Sequence, residues 1–402
     1  MSKQTKGFSA LLHPNFRRYF LAAVCATNAT WIFRVLIAWT AWDLTQSTSF
    51  AGLVTTLMLL PVAIASPIFG VLIDRSDPVR TYFLVSVGYL LCPLFYVAAH
   101  YFDILQPWVL LLLAGFYSLV VAVYQPLRQS LGPRLVDPDL IGSVMVLASL
   151  NHNTGRLVAP AVAGIGIATL GTEITSLMSI LLYVPSLLVA FALAPRPVQK
   201  QNKQARFWDD LVHGFVFAWK SWPIRQALLL GVFTFGPLTS LSEMLVLVAD
   251  GIFSKGADGL GLMTSCIGIG ALGAAGLQMI LDPNLLQRTW LRLTLILLGI
   301  ASGVVMVSVS SFEIASACAA VLGFTGIMSA VSLQAGMQAV LPDDMRGRVM
   351  ALWMMAASLA TAVCALGITT LAEFYGFAMV TQSVLVICAI AIVTVALIKH
   401  DR

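Results

Sequence analysis

The sequence predicts an all-α integral membrane protein with twelve membrane spans in two groups of six. Hydrophobic residues make up 59% of the chain and charged residues only 10%, whereas soluble domains carry about 25% charged residues. A chain of 402 residues has room for about a dozen spans of roughly 20 residues each. One long polar connection, 195–225, divides the apolar runs into two equal groups.

Apolar runs separated by polar residues predict the individual spans. The runs are 17–42, 50–73, 80–99, 105–126, 141–168, 173–194, 226–249, 259–281, 291–310, 314–339, 348–371 and 376–398. The segment before the first run, MSKQTKGFSALLHPNFRRYF, is polar and basic for too long to be a cleaved signal peptide. We therefore expect the first run to remain as a span.

The long connection is predicted to include a helix at the membrane surface. It opens with proline, glutamine and lysine, and its later part has apolar residues at helical spacing. These residues are Phe207, Leu211, Phe215, Ala218 and Trp222. The connection is too short for a soluble regulatory domain. The predicted organisation is an N-terminal bundle over 1–194, a cytoplasmic linker over 195–225 and a C-terminal bundle over 226–402.

The distribution of lysine and arginine predicts the orientation in the membrane. With the N-terminus in the cytoplasm, 20 of the 23 basic residues fall on the cytoplasmic side. Arg34 and Arg156 lie within spans, and only Lys255 falls outside. We therefore expect both termini in the cytoplasm. This asymmetry also accounts for the net charge of +5, so we expect no nucleic-acid partner.

Catalytic and metal-binding patterns are missing from the sequence. All six cysteines lie in apolar runs without a C-x-x-C pair, and the five histidines are scattered. There is no G-x-x-x-x-G-K-S/T loop for ATP, and no Ser-His-Asp arrangement is evident. We expect neither an enzyme nor a bound cofactor or metal ion.

The loop after the second span reads GVLIDRSDPVR and resembles the G-x-x-x-D-R/K-x-G-R-R/K signature of the major facilitator superfamily. Gly70, Asp74 and Arg75 match in position, and Arg80 supplies the final basic residue one position later. Asp77 and Pro78 stand where the signature has glycine and arginine. The resemblance implies the major facilitator fold, in which two pseudo-symmetric six-helix bundles are each built from inverted three-helix repeats.

Two further segments resemble one branch of this superfamily, the bacterial multidrug and siderophore exporters related to the enterobactin exporter. LPDDMRGRVMALW is similar to the P-x-x-x-R-G-R-V element of that branch through Arg346, Gly347 and Arg348. WTAWDLTQSTSFAGLV resembles its first hairpin. The resemblance implies a transporter of the bacterial inner membrane, with a monomer as the family default.

The stretch LNHNTGRLVAPAVAGIG, residues 150–166, places polar groups and glycines inside a long apolar run. Its part GRLVAPAVAG resembles the fifth-helix signature of facilitator antiporters, with Gly155, Pro160 and Gly164 in the matching positions. That resemblance implies export. Small residues at this spacing are also common wherever two membrane helices pack closely, so packing alone remains an alternative.

Two intramembrane arginines predict an anionic substrate. Arginine inside hydrocarbon is costly, so Arg34 and Arg156 should face a protein interior or an aqueous cavity, where they suit a carboxylate or catecholate ligand. The alternative is that each arginine only ties helices together. The other substrate-binding candidates are Asn28, Trp31 and Asn153, together with Gln125, Gln334 and Gln338, which the resemblance places on cavity-lining helices. Gln338 alternatively lies at the end of its helix.

Glu243 is the predicted proton-coupling carboxylate, because it lies well inside a span of the second half. A salt bridge or gate contact is the alternative, and Asp43 is a second candidate. Gly236 and Pro237 predict a helix break just before Glu243. Together these features predict a secondary exporter of a siderophore, of the carboxylate type, driven by proton antiport. A siderophore importer and a multidrug efflux pump of the same fold remain alternatives.

Overall fold

The computed structural model describes residues 3–196, 207–278, 280–281, 285 and 288–398. Over this part of the chain the regular structure is helical without strands, which confirms the all-α prediction. The helices are α1 (Pro14–Thr45), α2 (Thr48–Arg75), α3 (Pro78–Tyr101), α4 (Pro107–Leu131), α5 (Ile141–Ala190), α6 (Phe207–Lys220), α7 (Trp222–Glu243), α8 (Gly256–Gln278), α9 (Thr289–Ser308), α10 (Phe312–Gln338), α11 (Asp343–Tyr375) and α12 (Phe377–Leu397). The remaining elements are the 3-10 segments Lys3–Leu12, Gly132–Leu135 and Pro138–Leu140 and the π segment Leu247–Ile252.

Eleven helices within the described ranges are long and apolar enough to cross a membrane. One of them, Pro138–Ala190, has 53 residues, roughly twice the length of one crossing. It is interrupted at Gly171, whose φ of 84° and ψ of 172° are not helical and suit glycine best. Gly171 lies in the predicted gap between the fifth and sixth spans. The eleven helices therefore contain the twelve predicted spans.

Local signals account for several helix starts. The Asp77 carboxylate accepts hydrogen bonds from the backbone N–H groups of Val79 (2.8 Å) and Arg80 (2.9 Å), and Pro78 follows as the first residue of α3. This is an N-cap followed by a proline whose missing N–H would be unpaired in any case. Asp77 and Pro78, the two residues that depart from the superfamily signature, thus form the start of α3.

The predicted break before Glu243 is wrong. Helix α7 runs continuously through Gly236 and Pro237 and ends at Glu243. Helix α11 packs against this turn, where the Thr361 hydroxyl donates to the carbonyl oxygen of Phe235 over 3.3 Å. Membrane helices continue through proline where neighbouring helices pack against them. The chain leaves α7 only after Glu243 and then forms the π segment Leu247–Ile252.

The chain divides into two compact units. Unit 1 comprises residues 1–40 and 64–204, and unit 2 comprises residues 41–63 and 205–402. The division passes through α2, so its first part belongs with the second half of the chain. The predicted organisation into bundles over 1–194 and 226–402 stays a prediction.

Aromatic side chains form the centre of unit 1. Tyr89 stacks on Tyr183 with ring centroids 5.0 Å apart and meets the edge of Tyr124 at 5.4 Å. The hydroxyl of Tyr117 donates to the Thr30 carbonyl oxygen over 2.7 Å. Aromatic pairs in such geometries add about 0.5–1.5 kcal/mol each beyond the burial of their area. These contacts join α1, α3, α4 and α5.

Close helix packing holds unit 2 together. Helices α8 and α10 approach so closely that a Cβ atom added at Gly270 would overlap the carbonyl of Ala320, and one at Gly323 would overlap the carbonyl of Ile267. Glycine is therefore required where these helices touch.

The predicted surface helix of the linker exists as α6. It ends at Lys220, so Trp222 belongs to α7. The predicted apolar residues do not share one environment, because Ala218 is buried in the protein while Phe215 is exposed.

Candidate substrate site

A group of polar side chains links α4 to α5 in unit 1. The Arg128 guanidinium donates to the side-chain oxygen of Gln125 over 3.2 Å, and its Nη1 lies 3.5 Å from Nδ1 of His152. A guanidinium only donates hydrogen bonds, so this last contact requires a lone pair on Nδ1.

Two aromatic contacts continue this group onto α1. The Trp31 and His152 rings lie 6.0 Å apart between centroids at an angle of 53°. The Arg34 guanidinium carbon lies 5.2 Å from the centroid of the Trp31 ring, within the range of a cation–π interaction. Trp31 therefore contacts both a cation of its own helix and an imidazole of α5.

Small and polar residues bring α5 against α1 at this level. A Cβ atom at Gly155 would lie 2.6 Å from Cγ2 of Thr27 and 3.5 Å from the Trp31 ring. The buried Asn151 amide donates to the Thr27 hydroxyl over 3.0 Å. These two contacts position His152, which lies between them in sequence.

Arg34, Arg128 and Arg156 all interact electrostatically with His152. Arg156 is exposed, whereas Arg34 and Arg128 are half-buried. The three guanidinium groups whose charges act on His152, together with the His152 and Trp31 rings, form a cationic, aromatic site, named the arginine site below. Guanidinium groups bind carboxylates through paired hydrogen bonds. Within the described residues no group of His, Cys, Asp or Glu is placed to hold a metal ion.

Comparison with protein families identifies the class of this protein. Residues 5–402 match a family described as transmembrane secretion effector. The chain belongs to this family of the major facilitator superfamily. It is a secondary transporter, in a superfamily whose members are transporters rather than enzymes.

Solved structures support the same fold. The transporter resembles a bacterial homologue of the human lysosomal transporter Spinster, with a TM-score of 0.65 and 13% identity over 95% of this chain and 96% of that one. It also resembles a D-xylose–proton symporter, with a TM-score of 0.72 and 12% identity over 94% and 97% of the two chains. At these identities the similarity establishes the fold and leaves the substrate open.

One curated relative is the staphyloferrin A transporter of Staphylococcus aureus, strain NCTC 8325 / PS 47. The two sequences are 23% identical over 176 residues, which is 44% of each chain. The match thus spans less than half the length of that relative. It supports the resemblance to the siderophore-transporter branch.

The remaining predicted substrate ligands of the transporter are more scattered. The Asn28 amide donates to the Val24 carbonyl oxygen of its own helix over 2.8 Å. Asn153 is exposed and donates to the Ser149 hydroxyl over 3.3 Å. The two α10 candidates belong to unit 2, where Gln334 is half-buried and Gln338 is exposed at the helix end. Gln338 contacts the Met350 sulfur at 3.6 Å.

The two predicted proton-coupling carboxylates lie near helix ends. Glu243 is half-buried and is the last residue of α7. Asp43 is exposed and lies two residues before the end of α1.

The superfamily motif is described only in part. Gly70 faces Pro126, with 3.7 Å between an added Cβ atom and the proline Cβ, and Arg80 is exposed. The side chains of Asp74, Arg75 and Arg346 and the surroundings of Gly347 lie outside the described part of the structure. Arg348 is half-buried, and its Nη1 lies 3.8 Å from the Met345 sulfur.

The antiporter-like segment packs within unit 1. Gly155 contacts α1, Gly164 is buried and Pro160 is half-buried within α5. Buried Ala159 joins a cluster with Ile32. This placement fits the packing role that the sequence left open as an alternative.

Sequence reasoning missed two residues of the arginine site. Arg128 was grouped with the basic residues of the cytoplasmic side, and His152 was not selected as a ligand. Only Arg128 gave a weak signal in the sequence. It lies three residues after Gln125, so the two side chains share a helix face. The contact of Arg128 with His152 depends on how α4 docks against α5.

Sequence reasoning also missed a polar cluster in unit 2, on the predicted outer side. The Glu373 carboxylate of α11 accepts hydrogen bonds from the hydroxyls of Ser47 and Ser49 and from the Ser49 backbone N–H at 3.3 Å. The Thr48 hydroxyl donates to the Thr369 carbonyl oxygen over 3.1 Å. Together these contacts fasten the start of α2 to the end of α11.

Proposed function

We propose that this transporter exports an anionic, carboxylate-bearing siderophore from the cytoplasm by alternating access. The arginine site carries the proposal, since three guanidinium groups whose charges act on His152 favour a ligand with several negative charges. Trp31 adds a ring against which an organic ligand packs. The partial match to the staphyloferrin A transporter supports a siderophore among the possible anions.

Two arguments favour export. The family to which the chain belongs is described as transmembrane secretion effector. In addition, a negatively charged molecule that leaves a cell with a negative interior gains about 2.3 kcal/mol per charge for each 100 mV of membrane potential. The predicted setting is the bacterial inner membrane, with both termini in the cytoplasm and the transporter acting as a monomer without a cofactor.

Proton antiport through Glu243 is the proposed source of further driving force. A half-buried carboxylate at the end of a membrane helix is suited to exchange protons when water reaches it. Glu243 is followed by an irregular turn and the π segment, and π segments inside helices occur often at functional sites. Glu243 rather than Asp43 is favoured, because Asp43 is exposed.

The test begins with iron-limited cells that lack the gene. Export predicts that siderophore accumulates inside these cells and falls in the medium. Normal secretion with failed uptake of the ferric complex would overturn export in favour of import. If both were normal and lipophilic cations were retained, the transporter would be a multidrug pump.

The second step uses oriented membrane vesicles with either a pH gradient or a membrane potential as the driving force. Glu243→Gln should abolish the response to the pH gradient and keep the response to the potential. The matched control is Glu313→Gln, which changes an exposed carboxylate bonded to Ser311. An unchanged response of Glu243→Gln to the pH gradient would exclude this carboxylate from proton coupling.

A further inference from the structure

The corner between α6 and α7 combines an exposed apolar surface with basic side chains. Helix α6 has one face against α11, where a Cβ atom at Gly214 would lie 3.0 Å from Cβ of Arg348 and 3.4 Å from a Leu352 methyl carbon. Its other face is exposed. The exposed apolar side chains are Val212 at 55%, Phe215 at 54%, Val216 at 43% and Trp219 at 52%. Four adjacent exposed apolar side chains indicate a surface that is covered in the working protein.

Arg225 lies at the centre of this corner. Its guanidinium carbon is 4.8 Å from the centroid of the Trp222 ring and 5.5 Å from that of the Trp219 ring. Its Nη1 donates to the Trp219 carbonyl oxygen over 3.2 Å, in the last turn of α6. Two tryptophans and a carbonyl thus fix the orientation of one guanidinium group, and Lys220 is exposed beside it.

The surroundings of this corner favour a lipid as its occupant. Trp222 is the first residue of the membrane-spanning helix α7, so the corner lies where that helix meets the bilayer surface. Tryptophan prefers the headgroup level of a bilayer. An amphipathic helix with basic residues lies in the same layer and is attracted to anionic lipids.

We propose that the corner between α6 and α7 binds the phosphate of an anionic phospholipid, with Arg225 as the phosphate ligand. The face formed by Val212, Phe215, Val216 and Trp219 then rests among the first carbons of the acyl chains. The α6 face with Gly214 contacts α11 at Arg348 and Leu352. In this position the lipid covers the exposed face of α6 while the opposite face stays against α11.

The test uses the full transporter in nanodiscs that contain equal amounts of phosphatidylglycerol and phosphatidylcholine. Native mass spectrometry after release from the nanodisc measures which lipid stays bound. Wild type should retain phosphatidylglycerol preferentially, and Arg225→Gln should lower that preference by about fivefold, as expected for one basic residue at a membrane surface. Arg225→Lys should keep part of it, because the charge remains without the planar guanidinium.

The matched control is Lys255→Gln, which removes another cation near an aromatic ring, 5.8 Å from the Phe312 centroid, on the opposite predicted side of the membrane. It should bind phosphatidylglycerol as wild type does. Equal retention of both lipids by wild type, or the same preference in folded Arg225→Gln, would overturn the proposal. Thermal unfolding of each variant establishes that it is folded. No substrate enters this measurement, so its result is independent of the proposed siderophore export.

Discussion

Trp42 and Asp250 are joined by a hydrogen bond although they are 208 positions apart in the sequence. The indole Nε1 of Trp42 donates to Oδ2 of Asp250 over 2.8 Å, and Oδ1 of the same carboxylate accepts from the backbone N–H of Gly256 at 2.9 Å. One carboxylate in the π segment thus fastens the end of α1 and the start of α8 within unit 2. The Glu373 contacts with Ser47 and Ser49 lie in the same unit.

Removing the indole donor should destabilise unit 2. Trp42→Phe retains an aromatic ring but leaves Oδ2 of the half-buried Asp250 without its donor. We expect the free energy of unfolding to fall by about 1–2 kcal/mol, near the lower end of the range for a hydrogen bond to a charged group. This loss should appear as a lower thermal midpoint in detergent. Trp108→Phe is the control, because that side chain is 62% exposed. Equal midpoints for the two variants would show that the Trp42–Asp250 bond contributes nothing to stability.

A single methyl group at Gly52 should separate α2 from α11. An added Cβ atom would overlap the side chain of Thr369, so Gly52→Ala should lower the thermal midpoint. Thr369→Gly in the same chain should restore part of the loss, and a double-mutant cycle measures this coupling. Gly142→Ala is the control, since nothing lies within 4 Å of its added Cβ. Additive effects of Gly52→Ala and Thr369→Gly would contradict the predicted contact.

Weakening the Glu373 contacts should make the start of α2 more accessible. Glu373→Gln keeps the shape of the side chain but replaces a charged acceptor with a weaker neutral one. We expect a cysteine at Thr370, which lines a cavity of about 460 Å³ with Ser47 and Ser49, to react severalfold faster with a membrane-impermeant maleimide. Glu313→Gln should leave the rate unchanged. A rate that Glu373→Gln does not alter would mean that the carboxylate does not hold this segment.

The contribution of Asp77 to stability, as the N-cap of α3, should be measurable. Asp77→Ala removes the acceptor for two backbone N–H groups and should cost about 1 kcal/mol of stability. Asp77→Asn should cost much less, because asparagine is an equally good N-cap. Thermal unfolding compares the two. If both variants lost the same stability, the charge of Asp77 rather than its capping bonds would be the important feature.

The sequence was sufficient to predict the helices because apolar runs of this length have one stable form in a membrane. Backbone groups in hydrocarbon must be paired within the segment. The position of Gly171 between two predicted spans follows from the same pattern. The break predicted at Pro237 does not occur, and α7 packs against α11 at this turn, a contact that local sequence does not reveal.

The candidate site was less predictable. Arg34, Arg156, Trp31 and Gln125 stood out as polar or aromatic residues in apolar runs. The importance of His152 became visible only with the docking of α1, α4 and α5, which brings its ring to both Arg128 and Trp31. Contacts such as Trp42 with Asp250 join distant parts of the chain, and a single sequence contains no periodicity that pairs them.

Substrate binding by the arginine site is the central claim, and affinity measurements on the purified transporter test it most directly. Tryptophan fluorescence would follow titration with a carboxylate-type siderophore for wild type, Arg34→Gln, Arg128→Gln and the control Arg18→Gln, which alters an exposed arginine of α1. The account predicts that Arg34→Gln and Arg128→Gln each weaken binding by about tenfold or more, as the loss of a charged hydrogen bond implies. Arg18→Gln should bind as wild type does. Unchanged affinity in folded Arg34→Gln and Arg128→Gln would contradict the account.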